Sequence, residues 1–246
     1  MTGRGWRRIL AVALGGILCA SASLLTPASA DEVRASAYRA FWLWAGVTAQ
    51  PVLRQADELY LLYASVQEDR KGGIHWQPHR AGAPRLPGVD LWLVIRAETL
   101  DWTPAVTATL VHGLKRWSAA GNRVVGVQVD FDAGTRALDR YGDFLRRLRT
   151  QVPPRYRLGI TGLLDWTSHG DLSGLVGVVD EVVIQAYQGR RMVPDYRRYL
   201  TSAARLPLPF RVGLVQGGQW QPVEAVESAA NFRGYVVFLL NPTTPE

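Results

Sequence analysis

Eight apolar segments of strand length recur along the chain, with helical patterns between them. The segments lie at residues 40–44, 58–65, 91–98, 124–132, 157–165, 181–188, 210–216 and 234–240. Strands that alternate with helices and are apolar on both faces are typical of a parallel α/β sheet. Eight such strands in roughly 200 residues predict a compact (β/α)8 barrel of the TIM type. An open doubly wound sheet is the alternative.

The helical segments between the strands predict most of the outer layer of this barrel. They lie at residues 104–119, 136–150, 195–205 and 222–232. Thr103-Pro104 is typical of a helix start, because it places a capping side chain before a proline at the first helical position. Two departures from the ideal barrel are expected. Residues 66–90 have no helical period and predict a long loop or hairpin, and the sequence stops soon after the eighth strand, so the final helix is expected to be missing.

The first 30 residues have the pattern of an export signal. A basic start with Arg4, Arg7 and Arg8 precedes the apolar run 9–20, and Ala28-Ser29-Ala30 matches a small-x-small cleavage site. We therefore predict a signal peptide at residues 1–30 and a single barrel domain at residues 31–246. The mature protein is expected in the periplasm or outside the cell, with no membrane segment after cleavage. An uncleaved N-terminal anchor is the alternative.

Composition argues against several other classes of protein. The formal net charge is +7, but the arginines are scattered, so we expect no nucleic-acid partner. The single cysteine, Cys19, lies in the predicted signal, so the mature chain is expected to have no disulfide and no thiol nucleophile. No GxSxG turn is present, which argues against a Ser-His-Asp hydrolase. No glycine-rich phosphate motif is present, and no cofactor is expected. His75 and His79 have helical ligand spacing, but Pro78 lies between them, so no metal site is predicted. The oligomeric state stays open.

The fourth apolar segment, VVGVQVDFDAG at residues 124–134, carries acids on one face. Alternate residues of a barrel strand face the surrounding helices and the barrel axis. Because the layer beneath the helices is dry, the apolar series is expected to point outward. That series is Val125, Val127, Val129 and Phe131. The residues expected to face the axis are then Gln128, Asp130 and Asp132.

The same alternation on neighbouring segments predicts one polar site at the carboxyl ends of the strands. Barrel enzymes hold their active sites at that end. The converging side chains are expected to be Arg96, Glu98, Gln128, Asp130, Asp132, Asp165, Gln185 and Tyr187. An inert plug is the alternative interpretation, because Arg96 could bridge the acids and satisfy them.

The chemistry expected of this site is saccharide chemistry. Two carboxyls close together cannot both ionise easily, and glycosidic cleavage uses one carboxyl that holds a proton beside one that is ionised. Tryptophans follow several strands, and indole rings stack on the C–H faces of sugars. Those expected at the cleft are Trp44, Trp166 and Trp220.

Two resemblances support this interpretation. The fourth segment is similar to the DxxDxDxE signature of chitinase-type barrels of glycoside hydrolase family 18, and Tyr187 is similar to the tyrosine that positions substrate in that family. The resemblance implies Asp132 as general acid and Asp130 as its partner. In register, however, Val125 and Gln128 replace two aspartates of the signature, and Asp132 stands where chitinases have glutamate.

A closer resemblance is to a bacterial family of exported proteins of unknown function with a glycosidase-like barrel. The segments that carry it are AFWLW, GVQVDFDAG, YGDFLRRLR, ITGLLDW and VDEVVIQAYQG. The leading hypothesis is therefore an exported glycoside hydrolase that acts on a polysaccharide. A saccharide-binding barrel without catalysis is the alternative, and an Arg96 locked between Asp130 and Asp132 favours the inert plug over catalysis.

Overall fold

A computed structural model gives the structure of the chain and describes residues 30–80 and 82–242. The predicted signal peptide lies outside the described residues, apart from Ala30. Within the described ranges, no helix combines the length and apolar character that crossing a bilayer requires.

Eight parallel strands form a closed barrel. They are β1 (Ala40–Leu43), β2 (Glu58–Glu68), β3 (Asp90–Ala97), β4 (Arg123–Asp130), β5 (Arg157–Leu163), β6 (Glu181–Gln185), β7 (Phe210–Val215) and β8 (Phe232–Phe238). Each strand pairs with its neighbours in sequence, and β8 pairs with β1 through Val237 and Phe41. This last pairing confirms the predicted barrel and excludes the open sheet.

Five α-helices lie between the strands in the described part of the chain. They are α1 (Pro104–Ala119), α2 (Leu138–Gln151), α3 (Trp166–His169), α4 (Tyr196–Ala203) and α5 (Glu224–Glu227). The hydroxyl of Thr103 accepts a hydrogen bond from the backbone N–H of Val106 and caps α1, as the sequence predicts. The segment predicted as a helix at residues 222–232 forms only the single turn α5. No helix follows β8 in the described part of the chain, which ends at residue 242.

The region after β2 is a hairpin, one of the two forms that the sequence predicts. The strand β2 runs past the barrel to Glu68 and returns as the antiparallel strand Ile74–Pro78. The hairpin takes the place that a helix occupies in an ideal barrel.

Side chains inside the barrel form a compact aromatic and aliphatic cluster. Its buried members are Ala40, Trp42, Tyr60, Leu62, Trp92, Val94, Val183, Val236 and Phe238. Trp92 fits because Gly126 and Gly159 face it, and a Cβ atom on either would lie within 3.1 Å of its ring. Val125 also contacts this cluster, so its predicted outward direction was wrong. A register shift between β3 and β4 at this point breaks the strict alternation.

A buried ionic network closes the amino-terminal end of the barrel. Arg211 pairs with Glu58 at 2.5 Å and donates from Nε to Glu181 at 2.9 Å. The Tyr60 hydroxyl donates to Glu181, and the Trp92 indole N–H donates to Glu58 at 2.7 Å. Burial raises the pKa of Glu58, and the positive charge of Arg211 partly opposes that rise. The network lies at the opposite end from the predicted site.

Candidate functional site

The centre of the site is Asp130, the last residue of β4. Its side chain is completely buried, and Arg96 lies beside it in register on β3. Oδ1 accepts a hydrogen bond from the Thr161 hydroxyl at 2.6 Å, and the amide nitrogen of Gln185 lies 3.5 Å from the same oxygen. Burial raises the pKa of Asp130, while the charge of Arg96 and the bond from Thr161 act in the opposite direction.

Arg96 bridges the two aspartates. Nη1 donates to Oδ2 of Asp130 at 3.1 Å, and Nη2 donates to Oδ2 of Asp132 at 2.6 Å. Burial alone lowers the pKa of Arg96, but its bond to Asp132 and the charges of both aspartates raise the pKa overall. The Asp132 side chain is 51% exposed, so this end of the bridge faces solvent while the Asp130 end is dry.

Aromatic rings form one side of the barrel mouth. Trp44 contacts Trp42 with ring centroids 4.3 Å apart, and Phe238 lies between Trp42 and Tyr187 at 5.0 and 4.7 Å. Burial raises the pKa of Tyr187 well above its ordinary value. The Tyr187 hydroxyl has no hydrogen-bond partner within the residues that the structure describes.

These groups surround a cavity of about 690 Å³ at the carboxyl ends of the strands. Five of its lining residues are among those that the sequence predicts: Trp44, Arg96, Asp132, Gln185 and Tyr187. The other lining residues are Leu163, Leu164, Gln188, Gly189, Arg190, Val193 and Leu240. Cavities of this size accommodate small ligands or one or two sugar rings.

Gln128 lies behind the cavity rather than in its wall. Its side chain is fully buried, and Oε1 accepts a hydrogen bond from the indole N–H of Trp42 at 2.8 Å. Gln128 therefore supports the aromatic side of the mouth from inside the barrel.

Two predicted acids lie away from the cavity. Glu98 follows the end of β3 and is exposed, and it accepts a hydrogen bond from Gln67 at 2.9 Å. Asp165 lies immediately before α3 and does not line the cavity. The expected positions of both residues are corrected, because strand alternation stops controlling side-chain direction where the strand ends.

Two predicted tryptophans also lie elsewhere. Trp166 is the first residue of α3 and is buried in the outer layer, where its indole N–H donates to the Ala133 carbonyl at 2.8 Å. Trp220 stacks on Tyr196 with centroids 4.7 Å apart and pairs through its backbone with Asp31. Both rings pack under helices and loops rather than on the cavity.

A hairpin that was not predicted from the sequence forms another wall of the cavity. Tyr187–Gln188 and Arg191–Met192 form two short antiparallel strands around a turn at Gly189 and Arg190. Gly189 has φ 58°, which glycine adopts without strain. The sequence QGRR at residues 188–191 carries a turn signal, and the strand predicted at residues 181–188 ends at its first residue.

The two histidines of the first hairpin bond to protein groups. His75 contacts Asp69 at 2.7 Å, and His79 contacts the Ser65 hydroxyl at 2.8 Å. In the described ranges, no three histidine, cysteine or acidic residues are grouped as a metal would require.

The structure is a (β/α)8 barrel of the TIM type with a cavity at the carboxyl ends of its strands. Residues 94–200 match the sequence profile of a domain of unknown function, DUF3142. The match begins within β3 and ends within α4, so it includes the bridge of Arg96 and the two aspartates. No curated protein shows significant sequence similarity to the chain.

Solved structures share the barrel at low sequence identity. The xylanase-α-amylase inhibitor protein XAIP-III is 10% identical, with a TM-score of 0.54 over 82% of this chain and 93% of that one. XAIP-I, solved in complex with trehalose, is 12% identical, with a TM-score of 0.50 over 81% and 92%. The chitinase domain of the spore coat protein CotE from Clostridium difficile is 11% identical, with a TM-score of 0.46. The chain covers 65% of the length of that domain, which covers 72% of this chain.

Proposed function

We propose that this protein is an exported saccharide-binding barrel that holds its ligand at the carboxyl ends of the strands without cleaving it. The observation that carries this proposal is the bridge that Arg96 makes between Asp130 and Asp132. The ligand would be met in the periplasm or outside the cell.

The bridge argues against acid catalysis because it occupies the groups that would perform it. Glycosidic cleavage by paired carboxyls needs one that delivers a proton to the leaving oxygen. In this site, one oxygen of each aspartate accepts a hydrogen bond from the same guanidinium. Asp130 is also shielded from the cavity by its complete burial. Asp132 reaches one methylene less far than the glutamate of the chitinase signature.

The composition of the cavity favours a sugar as the ligand. Trp44 and Tyr187 offer apolar ring surface, while Asp132, Arg96 and Gln185 offer acceptors and donors for hydroxyl groups. The likeness to XAIP-I, which was solved with trehalose, supports a barrel of this type as a saccharide binder.

Glycoside hydrolysis is the second candidate function. It is favoured by the exposure of Asp132, which faces the cavity above the buried Asp130. In that case Asp132 would act as the general acid after a ligand displaces Arg96, and Asp130 would orient it.

The Tyr187 hydroxyl provides a direct test of binding at the cavity. Because it has no protein partner among the described residues, Tyr187→Phe should leave stability nearly unchanged and weaken saccharide binding about tenfold, through the loss of one hydrogen bond. The measurement is isothermal titration calorimetry against cello-, chito-, malto- and uronic acid oligosaccharides.

Tyr199→Phe is the matched control, because Tyr199 lies on α4 away from the cavity and its hydroxyl is also without a partner in the described ranges. This variant should bind as the wild type does. Equal affinities for the two variants would place the ligand elsewhere, and no binding to any of the oligosaccharides would contradict the proposed function.

A further inference from the structure

The charged side chains that line the cavity are two arginines and one aspartate. They are Arg96, Arg190 and Asp132. Arg96 is already engaged in ion pairs with Asp132 and with the buried Asp130. Arg190 is therefore the charged lining residue that remains available to pair with a ligand.

The backbone of Arg190 is held in a short hairpin, and its guanidinium is exposed to solvent. It follows the turn residue Gly189 in the short hairpin, whose strands pair through Gln188 and Arg191. Its Nη2 donates to the backbone carbonyl of Asn241 at 2.8 Å. Across residues 30–80 and 82–242, no carboxylate lies within ion-pair distance of Arg190. A neutral carbonyl occupies one N–H and leaves the positive charge uncompensated.

A second guanidinium lies next to the backbone of Trp44. Arg80 donates from Nη2 to the carbonyl of Trp44 at 3.2 Å and forms no ion pair in the described part of the chain. Arg80 does not line the cavity, but Arg80 and Arg190 are two guanidiniums near the mouth that no carboxylate of the described residues pairs. A neutral sugar would leave the charge of Arg190 without a counter-ion, whereas a planar carboxylate can bind a guanidinium in a bidentate manner.

We propose that the ligand is an acidic saccharide of the uronic acid class, whose carboxylate binds Arg190 while its ring contacts the aromatic side of the mouth. This inference rests on the proposed function and names its ligand class. Because Arg190 is exposed, the interaction weakens as ionic strength rises.

The test compares each acidic oligosaccharide with its own carboxyl-reduced form. Tetramers of galacturonate, mannuronate and glucuronate are titrated into the full protein beside the corresponding reduced tetramers, which keep the linkage and lose the charge. At least one uronate should bind about tenfold or more tightly than its reduced form. Arg190→Gln should lower the affinity for that uronate to the level of the reduced form.

Arg191→Gln is the matched control, because Arg191 is the adjacent exposed arginine and does not line the cavity. It should retain affinity for the uronate within about twofold of the wild type. Equal affinity for charged and reduced forms, or equal losses in the two arginine variants, would overturn the inference. Binding of neutral oligosaccharides alone would overturn it and leave the proposed function standing, whereas no binding of any saccharide would remove both.

Discussion

Replacing Arg211 by methionine is expected to lower the free energy of unfolding by about 3–5 kcal/mol, because the change leaves two glutamates uncompensated inside the barrel. The side chains of Glu181 and Glu58 are 1% and 13% exposed, and Arg211 contacts both. Methionine fills a similar volume, so the lower free energy of unfolding reflects the missing charge rather than a new cavity. The measurement is urea unfolding at neutral pH followed by circular dichroism.

The exposed ion pair between Arg39 and Asp57 supplies the control. Its nitrogen and oxygen are 3.0 Å apart, with side chains 61% and 67% exposed. Arg39→Met should therefore lower the free energy of unfolding far less than Arg211→Met does. Equal costs for the two variants would contradict the account of the network. If Arg211→Met does not fold, Arg211→Lys keeps the charge without the planar fork and should give a smaller loss.

The deficit of Arg211→Met should depend on pH with a definite sign. Burial raises the pKa of Glu58 above its unfolded value, so this group stabilises the fold at low pH and loses that contribution as pH rises through its folded pKa. Removing Arg211 takes away the charge that opposes this rise. The deficit should therefore shrink as the buffer is acidified towards the ordinary pKa range of glutamate.

Gly126→Ala is expected to destabilise the barrel by about 3 kcal/mol through overpacking. The new Cβ atom would lie 2.8 Å from Cζ3 of Trp92 and would also collide with the backbone carbonyl of Arg157 on β5. Neither neighbour can move freely, because Trp92 is completely buried in the interior cluster and the carbonyl belongs to a barrel strand. Thermal and urea unfolding measure the loss.

Gly134 provides a control eight residues further along the same segment. A Cβ atom there would meet nothing within 4 Å, and its φ of −64° suits any residue. Gly134→Ala should leave the free energy of unfolding unchanged or raise it by about 0.4–1 kcal/mol, because alanine reduces the conformational entropy of the unfolded chain. A loss at position 134 as large as that at position 126 would show that steric contact with Trp92 does not explain the result.

The barrel and the centre of its site could be predicted because strand alternation is a local property of the sequence. Val127 and Val129 point to the dry outer layer, and strand alternation then directs the side chain of Asp130 to the inside of the barrel. The predicted directions of the Arg96 and Gln185 side chains agree with the structure for the same reason. It was wrong at Val125, where a register shift that depends on pairing with β3 interrupts the alternation.

Residues beyond the strand ends could not be placed in this way. Trp166 points into the outer layer because a helix begins at that residue. Trp220 points away from the cavity because its short strand pairs with Asp31, which lies near the other end of the sequence. The network of Glu58, Glu181 and Arg211 depends on strands far apart in sequence. No local pattern distinguishes these acids from exposed ones.

The sequence indicates that Arg96 could bridge the two aspartates, but it does not show whether the bridge forms. The alternation places Arg96 on the same face as the acids, and whether a guanidinium reaches one or both of them depends on the register of β3 against β4. In the structure Arg96 lies opposite Asp130, which lets its second nitrogen reach Asp132. This geometry changes the preferred function from cleavage to binding.

The measurement that tests this conclusion most directly is a mass balance on a bound saccharide. The wild-type protein is saturated with the oligosaccharide that it binds most tightly, incubated for days, and the saccharide is recovered and analysed by mass spectrometry. We predict that all of it returns at its original mass, with no new reducing ends. Shortened products that form with the wild type and disappear with Asp132→Asn would contradict the binding account and establish hydrolysis.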